Sequence, residues 1–238
     1  MKYSTIRREY QHHGLNGMVF VDPYATLLSP LVTKICLRLR LIPNVVTLCM
    51  IGSGILGAVF FALPFLWAKI LGTVLIHLWY VLDCSDGEVA RITKRFSKFG
   101  TEIDYTAHIV NHPLFLAAFL LTLLQSNTGI SQLTLCAVFF GILALNMIYR
   151  NLSSFGLLYD LKTEKNASAV QPRRWGLKQL IVFCSNIFVQ LPNFALLFPI
   201  VSFISSQAAF WYAVIVLGFN VLFVPYGVLS WLRRIVNK

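Results

Sequence analysis

Five of the nine acidic residues in this 238-residue chain, Asp83, Asp86, Glu88, Glu102 and Asp104, crowd into 22 positions. His108 and His112 follow Asp104 at four-residue intervals. Asp83 and Asp86 are three apart and so share a helix face, while Asp104 has Gly100 one turn before it and His108 one turn after. Two helices carrying these residues present three carboxylates and an imidazole to one pocket. Clustered carboxylates without thiolates suit the hard dications Mg²⁺ and Mn²⁺. Two such ions about 3.5–4 Å apart clamp the attacking and leaving oxygens of a phosphoryl substitution. Gly87 and Ala90, on the helix of the aspartate pair, leave room for a flat base or a phosphate near the backbone. Arg91 adds a fork of donors that matches phosphate. The competing reading is structural, with the carboxylates held in salt bridges to Arg91 and Lys94. An Asp in a membrane helix costs about 2.5–3.5 kcal/mol on insertion scales, so on either reading it requires a partner.

The elements that must position these groups are membrane helices. Apolar residues make up 57% of the chain and charged residues 12%, against about 25% in soluble domains, and mean hydropathy is +0.71. The net charge of +11 therefore does not lie on a polar surface, which excludes a nucleic-acid-binding domain, a disordered chain and an ordinary soluble enzyme. Apolar runs predict six spans, at 44–64, 66–82, 100–125, 131–149, 179–204 and 208–231. Every Lys and Arg except Lys69 falls before the first span, after the sixth, or in the second and fourth connections. The positive-inside rule then puts both termini and the acidic cluster on the cytoplasmic side. The expected fold is an all-α integral membrane bundle, with residues 1–43 as a cytoplasmic N-terminal segment and 44–238 as the membrane domain. The first 20 residues hold no long apolar run, so no cleavable signal peptide is expected.

Within the N-terminal segment, Ser29–Arg40 reads as a helix lying on the membrane surface. Ser29 is its expected cap and Pro30 its first residue. Leu27, Leu28, Leu31, Ile35 and Leu39 form a stripe suited to the headgroup boundary, with a solvent-facing linker as the alternative. Gly52-Ser-Gly54-Ile-Leu-Gly57 matches a dinucleotide fingerprint, but it lies inside an apolar helix, where small residues serve close helix packing. The five cysteines include no CxxC pair and read as apolar core residues. The sequons at Asn151 and Asn166 fall on the cytoplasmic side and are expected to stay unmodified.

The run Asp83-x2-Asp86-Gly87-x2-Ala90-Arg91-x8-Gly100-x3-Asp104-x3-His108 resembles the signature of the CDP-alcohol phosphotransferases, matching seven of its eight fixed positions. Pro43-Asn44-x2-Thr47 and the six-span layout are similar to the family too. The resemblance implies that a hydroxyl attacks the phosphorus next to the alcohol of a CDP-alcohol, releasing CMP and forming a phosphodiester in lipid synthesis. It implies Asp83, Asp86, Asp104 and the residue at 108 as ligands of two ions, Mg²⁺ or Mn²⁺. Asn44, Thr47, Gly87, Ala90 and Arg91 would line the nucleotide site together with Asp83. The partners implied are a CDP-alcohol donor (CDP-diacylglycerol among them), a hydroxyl acceptor that can itself carry phosphate, membrane lipid, and a second copy of the chain in a homodimer.

Position 108 departs from the family, which has an Asp there that is thought to bind metal and take the proton from the attacking hydroxyl. Imidazole can do either job, although neutral His removes one negative charge, and Mn²⁺ tolerates it better than Mg²⁺. His108 and Asp104 are the catalytic candidates. His112 extends the ladder by a turn, as a further ligand or as a hydrogen-bonded helix histidine. In the basic stretch Arg150–Lys178, Arg150 and Arg173 could meet a phosphate, or the stretch could simply face anionic lipid. Two other functions compete: a silent relative that binds CDP-lipid or a membrane partner without turnover, and a small transporter.

Overall fold

In a bilayer each backbone N–H and C=O must find its partner within the chain, and a helix does so locally. The computed structural model describes residues 2–11, 22–163 and 187–236, and among these there is no strand. The helices are α1 (Tyr3–Glu9), α2 (Asp22–Arg38), α3 (Pro43–Ala62), α4 (Leu66–Thr93), α5 (Gly100–Leu124), α6 (Gln132–Thr163), α7 (Leu191–Ile204) and α8 (Ser206–Val236). Their boundaries follow local chemistry. Pro43 opens α3 after an extended Ile42, and Leu63, which precedes Pro64, is extended and closes it. Lys94 ends α4 in the left-handed conformation, with φ 54°.

Five of these helices are long and apolar enough to cross a membrane: Pro43–Ala62, Leu66–Thr93, Glu102–Leu124, Gln132–Leu152 and Ser206–Ser230. The chain is read as an integral membrane protein on that basis. The predicted span 179–204 is not one continuous helix in its described part. A helical turn at 187–189 ends at Gln190, whose ψ of 119° is extended, and α7 restarts beside Pro192 for only 14 residues. Proline lacks the N–H that a helix interior needs, so the break falls where the sequence puts it. Residues 164–186 lie outside the described residues. With them go Arg173 and most of the basic stretch, the sequon at Asn166 and the beginning of the predicted fifth span.

α3 is the central strut, packed on α4 and on α5, while α6 pairs with α8 and α7 with α8. Small residues set the closest crossing. A Cβ on Gly72 would stand 2.4 Å from the backbone nitrogen of Phe61, and one on Gly57 would stand 3.0 Å from that of Ile76. A Cβ on Gly54 would stand 2.6 Å from Cγ of Asn111 on α5, while Gly52 faces open space. The glycine run is thus a packing device with one position unused. Around it a core of aromatic rings joins five helices. Phe61 meets Phe119 at 5.3 Å, Phe119 stacks on Phe198 at 4.4 Å, Phe139 meets Phe198 at 5.8 Å, and Trp79 meets Phe115 at 5.0 Å. Of the described cysteines, which were expected in the core, Cys36 is buried and Cys84 half-buried, while Cys49 and Cys136 are exposed.

The N-terminal helix departs from its predicted start. α2 begins at Asp22 and runs through Pro30, so Ser29 is an interior residue and not a cap. Its hydroxyl is engaged elsewhere. Ser29 Oγ and Thr33 Oγ1 (2.6 Å) donate to the two oxygens of Glu88 on α4, and Gln11 Nε2 donates to Glu88 Oε1 at 2.9 Å. Tyr24 Oη lies 2.8 Å from His77 Nδ1 farther up α4. The predicted stripe of Leu27, Leu28, Leu31, Ile35 and Leu39 faces outward, away from the bundle. α2 therefore docks through Ser29 and Thr33 with Ala25 and Cys36 buried beside them, and leaves this leucine stripe exposed.

Glu88, 1% exposed, is the centre of that docking. Glu88→Leu would orphan the hydroxyls of Ser29 and Thr33 and is expected to cost about 3 kcal/mol, with Glu88→Gln milder. The measurement is thermal unfolding in detergent, paired with protease cleavage ahead of α2. Unchanged melting and cleavage in Glu88→Leu would show that α2 docks by other means.

Candidate active site

α4 and α5 both pack on α3, and the Lys94–Phe99 connection joins them. From its midpoint on, α4 brings Trp79, Asp83 and Asp86 to this end, and the first half of α5 brings Asp104, His108 and His112. Ligand atoms of Asp83, Asp104 and His108 all lie within 4.8 Å of one another. His108 Nε2 is 3.2 Å from Asp83 Oδ1 and 3.4 Å from Asp104 Oδ1. The side chain of Asp104 is 45% exposed and that of Asp83 is 21%, so Asp104 is the carboxylate more open to an arriving molecule.

Asp86 stands apart from this triad. Its Oδ2 accepts a hydrogen bond of 2.7 Å from Thr47 Oγ1 on α3, while it remains within electrostatic reach of Asp83 and Asp104. Of the four predicted ligands, three are brought together and the fourth is turned by about one helix face. Asn44, at the start of α3, reaches Ser97 Oγ at 3.4 Å. Thr47 and Asn44 thus border the same end of the bundle as the triad. The space over Gly87 is taken by Arg91 itself, whose Nη1 would be 3.1 Å from a Cβ there. Arg91 Nε donates to the carbonyl of Tyr10 in the N-terminal segment. Ala90 lends its carbonyl to the backbone N–H of Arg95, at 3.2 Å, which helps close the end of α4.

Among the described residues no Lys or Arg forms an ion pair with Asp83, Asp86 or Asp104. Among the described residues the salt-bridge reading therefore lacks its partners; His108 sits against Asp83 and Asp104, and Thr47 donates to Asp86. Two carboxylates and an imidazole whose donor atoms converge are a donor set that fits a divalent cation.

Three further residues, Trp79, His112 and Arg150, lie around the triad. Trp79 lies one turn before Asp83 and sets its ring edge-on to His108 (5.6 Å) and His112 (5.8 Å). Its four-residue spacing from Asp83 was the available signal. His112 meets His108 rather than the carboxylates, with Nε2 3.2 Å from His108 Nδ1. On α6, Arg150 lies over the ring of Tyr105 at 5.5 Å, within electrostatic reach of Asp83 and Asp104, and its buried Nε has no hydrogen-bond partner among the described residues.

A family model described as CDP-alcohol phosphatidyltransferase matches residues 40–223. That stretch contains α3, α4, α5, α6 and α7, the whole triad and Arg150. No curated protein matches the chain.

Proposed function

Since the chain belongs to the CDP-alcohol phosphatidyltransferase family, we propose that it transfers the substituted phosphate of a CDP-alcohol to a hydroxyl acceptor, with CMP leaving. The observation that carries this reading is the convergence of Asp83, Asp104 and His108 within the family's signature segment. The acceptor oxygen forms a bond to the phosphorus that bears the alcohol. The bond from that phosphorus to the bridging oxygen breaks, and CMP departs with that oxygen. Asp83, Asp104 and His108 would hold Mg²⁺ or Mn²⁺, with Asp86 as a ligand to a second ion. Such ions, when bound, supply positive charge at the pyrophosphate.

The residues of the chain do the rest. Asn44, Thr47, Gly87, Ala90 and Arg91 would line the nucleotide site, together with Asp83. Thr47 holds Asp86 in place through its hydroxyl, and Arg91 brings donors to phosphate from above Gly87. His108 Nε2 can hold a cation or take the acceptor's proton, but its one lone pair cannot do both at once. Asp104, the more exposed carboxylate, is then the group that receives the proton when His108 is a ligand. The reading includes six spans with both termini in the cytoplasm, the active site on that side, and residues 1–43 as a segment ahead of the 44–238 membrane domain. CDP-diacylglycerol is one donor of the class, and a homodimer is the assembly proposed.

Arg150 supports an acceptor that carries its own phosphate, since among the described residues its buried Nε lacks the hydrogen-bond partner that an anion could supply. Arg150→Gln is expected to raise KM for such an acceptor about tenfold, the worth of one charge-assisted hydrogen bond, without altering KM for the CDP-alcohol. Equal effects on both substrates would remove Arg150 from the acceptor site.

The deciding experiment incubates purified protein with Mg²⁺ or Mn²⁺, a panel of CDP-alcohols and membrane lipid, and identifies products by mass. CMP appearing in step with one new phosphodiester is the expected result. CDP-alcohol binding without CMP would select the silent relative, and metal-dependent uptake into liposomes without nucleotide would select a transporter.

A further inference from the structure

The two nitrogens of His108 face different partners. Nε2 lies toward Asp83 and Asp104, and Nδ1 lies 3.2 Å from Nε2 of His112, one turn along α5. Both rings are nearly buried, at 6% and 2% exposed, and the edge of Trp79 walls them in. A neutral imidazole carries its hydrogen on one nitrogen only. For Nε2 to offer a lone pair beside the carboxylates, the hydrogen must sit on Nδ1, and a buried N–H needs an acceptor. His112 Nε2 stands where that acceptor is required. Without it, His108 would hold a buried donor unpaired or turn its lone pair away from the carboxylates.

We propose that His112 is a positioning residue that holds the Nδ1–H of His108, aims its bare Nε2 between Asp83 and Asp104, and thereby biases the centre toward Mn²⁺ over Mg²⁺. This rests on the proposed metal-dependent reading of the site. Ligating histidines commonly give their second N–H to a neighbouring group, which fixes tautomer and ring orientation. One nitrogen among oxygens favours a borderline ion, because Mg²⁺ prefers oxygen donors and strict octahedral geometry. The effect belongs to this chain's His108, since an Asp at that position would have no second nitrogen to satisfy.

The test measures Mn²⁺ binding to the full-length protein in detergent by electron paramagnetic resonance, with Mg²⁺ as competitor. Pulsed spectra report nitrogen bonded to the ion. Unaltered protein is expected to show that nitrogen coupling and to retain Mn²⁺ against a large excess of Mg²⁺. His112→Phe keeps a flat ring and removes the acceptor. It is expected to weaken Mn²⁺ binding about 10–100-fold, to lose the nitrogen coupling and to narrow the preference over Mg²⁺. His112→Gln puts an amide oxygen at similar reach and is expected to restore both signals, which separates the acceptor from a general need for packing. The proposal is overturned if His112→Phe binds Mn²⁺ with unchanged affinity and coupling, or if His112→Gln is as impaired as the Phe variant. Asp83→Ala combined with Asp104→Ala distinguishes the two levels: Mn²⁺ binding that survives loss of both carboxylates overturns the metal reading itself, whereas its loss alongside an unaffected His112→Phe overturns only the role of His112.

Discussion

Asp104→Asn is expected to abolish CMP release, lowering turnover on the order of 10³-fold, with the protein still folded. Asn keeps the size of the side chain and an oxygen that can face His108, so packing around α5 is preserved. What it loses is the charge, and with it the hold on a dication and the ability to take a proton. Asp104 is the right residue for this test because it combines contact with His108 at 3.4 Å with the greater exposure of the two triad carboxylates. The measurement is CMP formation by chromatography, with the melting midpoint as a check on folding. Turnover that persists at its original rate would remove the acidic cluster from the reaction.

The second large effect concerns His108. His108→Ala is expected to reduce turnover about 10²–10³-fold, because it deletes an imidazole that touches both Asp83 and Asp104. His108→Asp restores the carboxylate of the family signature and is expected to recover activity to within about tenfold, with the optimum ion moving from Mn²⁺ toward Mg²⁺. The pair of variants matters more than either alone. Recovery by Asp but not by Ala identifies a ligand or base, whereas two equally impaired variants point to packing against Trp79 and His112. Unchanged turnover in the Ala variant would contradict the role assigned to His108.

Much of the molecule is written in local patterns. Apolar runs of membrane length gave helices because lipid offers the backbone no other partner, and Pro43, Pro64 and Pro192 fall at helix ends because proline lacks an N–H. The four-residue steps from Asp104 to His108 and His112 place those groups on one face of α5, which is a property of helical pitch alone. The signature from Asp83 to His108 likewise depends only on spacing, and the family match over 40–223 bears it out.

The facing of side chains across helices was not local. Each residue turns a helix by about 100°, so Asp83 and Asp86 point about 60° apart and Glu88 about 140° from Asp83. Sequence alone groups these three as one acidic patch. The tertiary structure divides them: Asp83 meets α5, Asp86 meets Thr47 on α3, and Glu88 is buried against α2. The same holds for Ser29, whose hydroxyl suits a helix cap but is claimed by Glu88 from 59 positions away. Pitch and hydropathy fix what a helix is, whereas its rotation about its own axis is decided by the neighbours it packs against. Which carboxylate reaches the imidazole, and which only anchors a helix, was settled there.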